Sequence, residues 1–343
     1  MGSSIFYSRL FFAVVLSKIE FRLPSRGRDV GNSNFMQNIN SQAFKTRDAT
    51  SYDSLAEQFD YYTERLSHKL ATRMVALADI EKNDRVLDVG TGTGVVALQA
   101  AQIIGEQGLI DGIDLSDGML ETAKNKAVRL NLAAKTKFSR MDAEALEFDA
   151  QTFNKVVSLF ALLHFPNPLV ALKEIFRVMR PDGKLVLAVG SSPPISFSGL
   201  VHRFKHLPDF VQRLLGKQLV APTFLDSMVE ELLPQTNEAE ESHLAHHSQN
   251  RTQSVATLIK QVGFEVLKTD WHGDTEIIET AEDFWEIQRT FSSIARKRIN
   301  DAASDKAELL YNQFVKKCQK VQASGGKLVY PFGAFYVVAR KPQ

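Results

Sequence analysis

The stretch Val86-Leu87-Asp88-Val89-Gly90-Thr91-Gly92-Thr93-Gly94-Val95-Val96-Ala97-Leu98 sets the plan of this chain. Its first residues form a short apolar run with β-branched valines, the pattern of a buried strand. Three glycines then stand at every second position, and an apolar segment with a helical reading follows. A strand, a tight glycine turn and a helix start together make a nucleotide site. The glycines let the backbone adopt positive φ and approach a ligand where a Cβ would clash. Asp88 stands at the strand end, where a carboxylate can take a ligand amine. A dinucleotide fold wants G-x-G-x-x-G to cradle a pyrophosphate. Here the spacing is Gly90-x-Gly92-x-Gly94, which argues against a nicotinamide-dependent oxidoreductase.

An acidic residue two before the first of three alternating glycines resembles the D/E-x-G-x-G-x-G signature of class I S-adenosylmethionine (SAM)-dependent methyltransferases. The resemblance implies an α/β, Rossmann-like fold: a seven-stranded, mostly parallel sheet with helices on both faces. It implies SAM as cofactor, with Asp88, Gly90, Thr91, Gly92 and Gly94 around its methionine part and ribose. Further matches follow at the expected places. A second strand over Leu109–Asp114 ends on an acid that lies 20 residues after Gly94. Asp114 can accept both ribose hydroxyls, or it can cap the next helix, a job open also to Ser116 and Asp117. Leu115 and Met119 are then candidates for the surface under the adenine.

Asp142-Ala143-Glu144-Ala145-Leu146-Glu147-Phe148 follows a third strand and resembles the family's D-A-E-x-L-P-F loop, with Glu147 in place of proline. The resemblance gives Asp142 the adenine amino group and the Ala143 N–H a ring nitrogen. A fourth strand over residues 153–160 ends on Phe160, a further cofactor candidate. The loop after it, Ala161-Leu162-Leu163-His164-Phe165-Pro166-Asn167-Pro168, is similar to the x-x-x-L-H-x-x-x-P segment of the type 11 group, which includes ubiquinone and menaquinone biosynthesis methyltransferases. In open α/β sheets ligands sit outside the carboxyl ends of the strands. His164 is therefore the candidate base for the methyl acceptor, or a side chain that only bonds nearby backbone.

Upstream, Tyr52-Asp53-Ser54-Leu55-Ala56-Glu57-Gln58-Phe59-Asp60-Tyr61-Tyr62 resembles the family's entry helix, with apolar spacing continuing to Leu77. Its aromatics either close the SAM site or pack the helix down. Downstream, a fifth strand covers residues 184–189, a sixth 263–267, and two last segments, 327–330 and 335–339, close the sheet. Two helical insertions, about 192–252 and 275–325, interrupt this core. Phe197, Phe204, Phe210, Phe224, Trp285 and Phe291 within them either line a roomy apolar acceptor pocket or pack a lid.

The 343 residues suit one domain with insertions. Residues 1–50 read as an extension, with a polar, disordered arm over 32–50 and the methyltransferase domain over 51–343. Residues 1–47 hold seven Lys/Arg against Glu20 and Asp29. That fits a transit-like import segment, or sequence ahead of a true start at Met36. A net charge of +1 gives no footprint for a polyanion, and the sole cysteine, Cys318, allows no internal disulfide framework. No apolar run reaches transmembrane length. His243, His246 and His247 read as a solvated run rather than a metal site, and no metal is expected. Ser192-Pro193-Pro194-Ile195 follows the wrong strand, and lacks the aromatic residue, for an amino-group nucleic-acid methyltransferase. Cys318 lies far from the core motifs, against a covalent cytosine mechanism. The expected protein is a cytoplasmic SAM-dependent methyltransferase acting on a small, largely apolar metabolite at an O, N or C atom. A non-catalytic SAM-binding or partner protein is the alternative.

Overall fold

Arg85–Val89 (β1) has three apolar residues in five and is buried from Val86 onward, so both faces of the strand need cover. The computed structural model describes residues 41–191, 216–233 and 251–343. Three helices lead in: Ser41–Asp53 (α1), Ala56–Leu66 (α2) and His68–Ala78 (α3). After β1 the chain alternates through Val95–Ile103 (α4), Leu109–Asp114 (β2), Asp117–Arg129 (α5), Thr136–Arg140 (β3), Phe153–Leu159 (β4), Pro168–Val178 (α6) and Met179–Gly190 (β5). Then come Gln218–Val220 (β6), Thr223–Leu232 (α7), Arg251–Gln261 (α8), Glu265–Ile278 (β7), Ala281–Phe291 (α9), Ser293–Asp301 (α10), Ser304–Ala323 (α11) and Lys327–Arg340 (β8).

The sheet runs β3-β2-β1-β4-β5-β8-β6, with β7 along the other edge of β8. Strands β1 to β5 pair in parallel, and β8 runs antiparallel to β5 and β7. Side chains alternate across it. Val86, Val157 and Val186 face α3, α4 and α5, while Leu87, Val156 and Leu187 face α6 and α8. Each face thus buries its own apolar cluster. A third cluster unites α7, α9 and α11 around Phe284, Leu310 and Phe314, with Tyr62 and Leu66 of α2 against it. The Cys318 thiol is buried in this layer, and burial pushes it up to about 12.

The architecture is the expected one, with three corrections. The sheet has eight strands, not seven. Residues of the first insertion supply the extra one: β6 pairs Gln218 to Val220 with the start of β8, which runs on past β5. The last two expected segments are one strand, and β7 continues to Ile278, opposite Leu328, so the second insertion opens later than residue 275. Arg180-Pro181-Asp182-Gly183 forms a bulge inside β5: Met179 pairs with Phe153, the register shifts, and pairing resumes at Lys184.

The third correction is at the entry. Residues 41–50, expected in a disordered arm, are helical in α1, and the single long helix read from Tyr52 onward is three shorter ones. The α1 sequence is polar and has no apolar stripe, which is why it reads as a linker. Charge and one aromatic hold it instead. Lys45 reaches Asp142 at 2.7 Å and Glu144 at 2.8 Å. Buried Phe44 lies under the Lys297 ammonium, 5.3 Å away. At its end, Asp53 accepts from the Ser116 hydroxyl at 2.6 Å and from the Gly118 amide at 3.1 Å. The import segment expected over the first residues lies outside the described residues.

Gly118 tests this docking. A Cβ there would stand 2.7 Å from the Asp53 carbonyl oxygen. Gly118→Ala is expected to lower stability by about 1–3 kcal/mol, the usual cost of overpacking. Trypsin should cut faster at Lys45 and Arg47 while α5 stays helical; unchanged cleavage would show that α1 does not rest on this contact.

Candidate active site

The carboxyl ends of β1 to β5 open into one cavity of about 820 Å³. It lies where strand order reverses, between β1 and β4, the place such sheets reserve for ligands. The glycine loop forms its floor. Gly90, Gly92 and Gly94 have φ of 70°, 53° and 83°, all left-handed. At Gly90 a Cβ would fall 2.2 Å from the Ala161 Cβ, so the β1 and β4 loops touch only because this residue has none. The Gly90 and Thr91 amides both donate to the Ile113 carbonyl at 2.9 Å.

Asp88 is 1% exposed. Its Oδ2 accepts from the Thr91 hydroxyl at 2.8 Å and from the Ala97 amide at 3.2 Å. It joins β1, the loop and α4, which differs from the expected carboxylate free for a ligand amine. Burial pushes it up to about 7 against the pull of these two donors. Asp114 is half-buried in the cavity wall. Its Oδ2 takes the Gly92 amide at 2.9 Å and its Oδ1 the Ser116 amide at 3.0 Å. Burial raises its pKa, and those backbone donors oppose the rise. Helix capping falls to Ser116, whose hydroxyl accepts from the Met119 amide at 3.2 Å. Asp114 therefore keeps spare acceptor capacity toward the cavity.

Leu115, Met119, Asp142, Ala143 and Phe160 all line the same cavity, so the structure brings every expected cofactor residue to one place except Gly94, which starts α4. Asp142 accepts from the Glu144 amide at 2.9 Å through Oδ1 and from Lys45 through Oδ2. Phe160 carries φ of 67°, rare for a bulky residue, and turns the chain out of β4. His164 sits on a single turn, Leu162–His164, and also faces the cavity. Its Nδ1 lies 3.1 Å from Asp48 Oδ2, and Asp48 Oδ1 takes the Lys297 ammonium at 2.9 Å. Burial alone would raise Asp48, but the His164 and Lys297 charges outweigh it and hold the carboxyl well below the usual carboxylate range.

Several cavity residues have no signal in the sequence. Lys45 and Asp48 lie on the unexpected α1, and Lys297 on α10, which stands behind the cavity wall, is 249 residues from its partner Asp48. The Thr63 and Thr93 hydroxyls are buried in the wall with no partner among the described residues. The entry aromatics divide: Tyr52 and Phe59 line the cavity, and the Phe59 ring lies 3.8 Å from where a Gly92 Cβ would be. Tyr62 instead bonds Asp283 at 2.7 Å, and Tyr61 is exposed. Among the insertion aromatics, Phe291 lines the cavity, while Phe224 and Trp285 pack against Phe314. Phe197, Phe204, Phe210, the Ser-Pro-Pro segment and the three clustered histidines lie outside the described residues. No metal-holding cluster occurs among the described residues, and no helix there is long and apolar enough to cross a membrane.

A methyltransferase-domain family profile matches residues 86–183, the span from β1 to the β5 bulge. Demethylmenaquinone methyltransferase of Staphylococcus epidermidis is 30% identical over 183 residues, which is 52% of this chain and 73% of that protein. The chain belongs to the class I SAM-dependent methyltransferases, of the ubiquinone/menaquinone-biosynthesis type. A second relative is the ubiquinone/menaquinone biosynthesis C-methyltransferase UbiE of Azotobacter vinelandii, 30% identical over 155 residues, 44% of this chain and 61% of that one. The chain spans less than two thirds of the length of this and the next three curated relatives. Family membership removes the nicotinamide reading. The site suits the family's cofactor: the glycine cradle has no Cβ to fill it, and Thr93 offers an unpaired hydroxyl beside it.

The buried Asp88 makes stability depend on pH in a defined direction. Its folded value of about 7 lies above its ordinary 3.8. Between these values the folded chain holds a proton that the unfolded chain has released. This group's contribution is thus greatest in acid and declines as pH rises to about 7. Comparing urea unfolding of the wild type with Asp88→Asn, the wild type should lose about 1–3 kcal/mol relative to the variant between about pH 5 and pH 8. A difference that stays constant across that range would mean Asp88 ionises freely.

Proposed function

We propose that this chain transfers the methyl group of SAM to a small, largely apolar acceptor bound in the same cavity. The observation that carries this reading is Asp114. It closes β2 beside the glycine loop, takes one backbone N–H on each oxygen, and leaves helix capping to Ser116. A ribose needs such a fixed carboxylate with lone pairs to spare. Asp142 and the Ala143 N–H would take the adenine, with Leu115, Met119 and Phe160 against its faces. Gly90, Thr91, Gly92 and Gly94 let the backbone reach the rest of the cofactor. SAM itself supplies a carbon already activated by the sulfonium, so the protein's main work is to position the two partners.

The acceptor end is lined by Phe59, Leu66, Leu70, Ala221, Phe291 and Phe332. Such walls favour an apolar or aromatic molecule, and the relatives' names point to quinones. The near-neutral chain favours a small molecule over a nucleic acid. Placement in a reducing compartment such as the cytoplasm suits the buried, unpaired Cys318. His164, which lines the same cavity, would act on the acceptor.

Titration calorimetry with S-adenosylhomocysteine, the spent cofactor, tests the cofactor half. The wild type should bind, and Asp114→Ala should lose about 1.5–3 kcal/mol, tenfold or more in affinity, because the lost hydrogen bonds are charge-assisted. No binding by the wild type would overturn the methyltransferase reading. Equal binding by the variant would put the ribose on another residue.

A further inference from the structure

We propose that Asp48 is a positioning residue for His164, holding the imidazole so that its Nε2 takes a proton from the methyl acceptor. The inference rests on the methyltransferase reading and adds a further residue to that same site.

The geometry is that of a histidine held from behind. The Leu162–His164 turn fixes the backbone, with the His164 amide donating to the Ala161 carbonyl at 2.9 Å. The Asp48 carboxylate, almost wholly buried, stands at Nδ1, and the Lys297 ammonium occupies its other oxygen. An ionised carboxylate only accepts, so Nδ1 carries the proton and Nε2 is left as the basic nitrogen. The Tyr52 ring stands edge-on to the imidazole, 6.0 Å between centroids, and limits its rotation. Asp48, Lys297 and Tyr52 approach from α1 and α10, and Asp114 lines the same cavity. Two elements from opposite ends of the chain therefore converge behind one imidazole, more than a backbone-bonding histidine requires.

The rest of the wall narrows the acceptor. Lys45 and His164 are its basic side chains among the described residues, and Lys45 is committed to Asp142 and Glu144. Asp226 and Asp274 stand at the far end. Asp274 already pairs with Lys69 at 3.3 Å, so a phosphate- or carboxylate-bearing acceptor would meet two acids there and compete for that lysine. A planar ring with a hydroxyl meets Phe59, Phe291, Tyr330 and Phe332 instead.

The step balances without any other reactant. Nε2 takes the hydroxyl proton as the freed electron pair, on oxygen or delocalised to a neighbouring ring carbon, bonds the methyl carbon. The carbon–sulfur pair leaves with sulfur. In O-methylation the imidazolium, stabilised by Asp48, passes its proton to water; in C-methylation it returns the proton to the ring oxygen, while the methylated ring carbon loses its own proton to water and the aromatic ring is restored.

The test uses the full chain with labelled histidine. Nitrogen-15 spectra of the S-adenosylhomocysteine complex should show His164 protonated at Nδ1 in the wild type and shifted toward Nε2–H in Asp48→Asn. With demethylmenaquinol and catechol as probes, Asp48→Asn should lower kcat by at least about 100-fold with KM within about threefold, and Asp48→Glu should recover part of it. Nε2–H in the wild type would overturn the proposal. So would a change confined to KM, transfer to alkylamines alone, or no transfer to either probe by a wild type that binds S-adenosylhomocysteine. Failure of that binding would sink the methyltransferase reading instead, and the wild-type tautomer would still decide the pairing.

Discussion

The buried Asp88 carboxylate is the fixed point of the molecule. One of its oxygens holds the Thr91 hydroxyl in the loop and the Ala97 amide in the first turn of α4. Strand, turn and helix are thereby locked as a unit around three left-handed glycines. Everything at the site refers back to that unit. The Gly92 amide meets Asp114 because the loop is held at that height, and Ala161 can approach because Gly90 carries no side chain. A carboxylate so deeply buried is costly in isolation, and the raised pKa records the strain between burial and its two donors.

Around this unit the fold solves a second problem: how to cover a cavity whose floor is polar backbone. The parallel sheet brings its loops to one end but leaves that end open. Cover comes from α1, α2 and the helical layer of the second insertion. α1 is fastened by charge, through Lys45 to the β3 loop and through Asp48 to His164 and Lys297. These ion pairs are partly or largely buried, where attraction is less screened than at the surface and a missing partner is costly. The layer of α9, α10 and α11 is fastened by apolar packing around Phe284 and Phe314.

The legible part of the molecule is the part built from local rules. Alternating and continuous apolar runs mark β1 to β5, and the glycine spacing with Asp114 and Asp142 points to one cavity in the sequence alone. What stayed hidden has a common cause: it depends on partners remote in the chain. The α1 sequence has no apolar stripe, so nothing local announces a helix held by charges 97 and 249 residues away. β6 is three residues long and exists only because β8 offers an edge. β7 alternates too weakly over its solvent side to show that it runs on to Ile278. Phe160 at positive φ and the orphaned Thr63 and Thr93 hydroxyls likewise belong to tertiary geometry. The aromatics of the insertions were ambiguous for the same reason: Phe291 and Trp285 look alike in sequence and face different ways.

The central claim is that the β1 and β2 ends and the β3 loop form one cofactor cradle, and the most direct measurement is a crystal structure of the full chain with S-adenosylhomocysteine. The account predicts both ribose hydroxyls on Asp114, the adenine amine on Asp142, and the sulfur pointing toward His164. A ligand bound elsewhere, or bound here with its ribose away from Asp114, would contradict it.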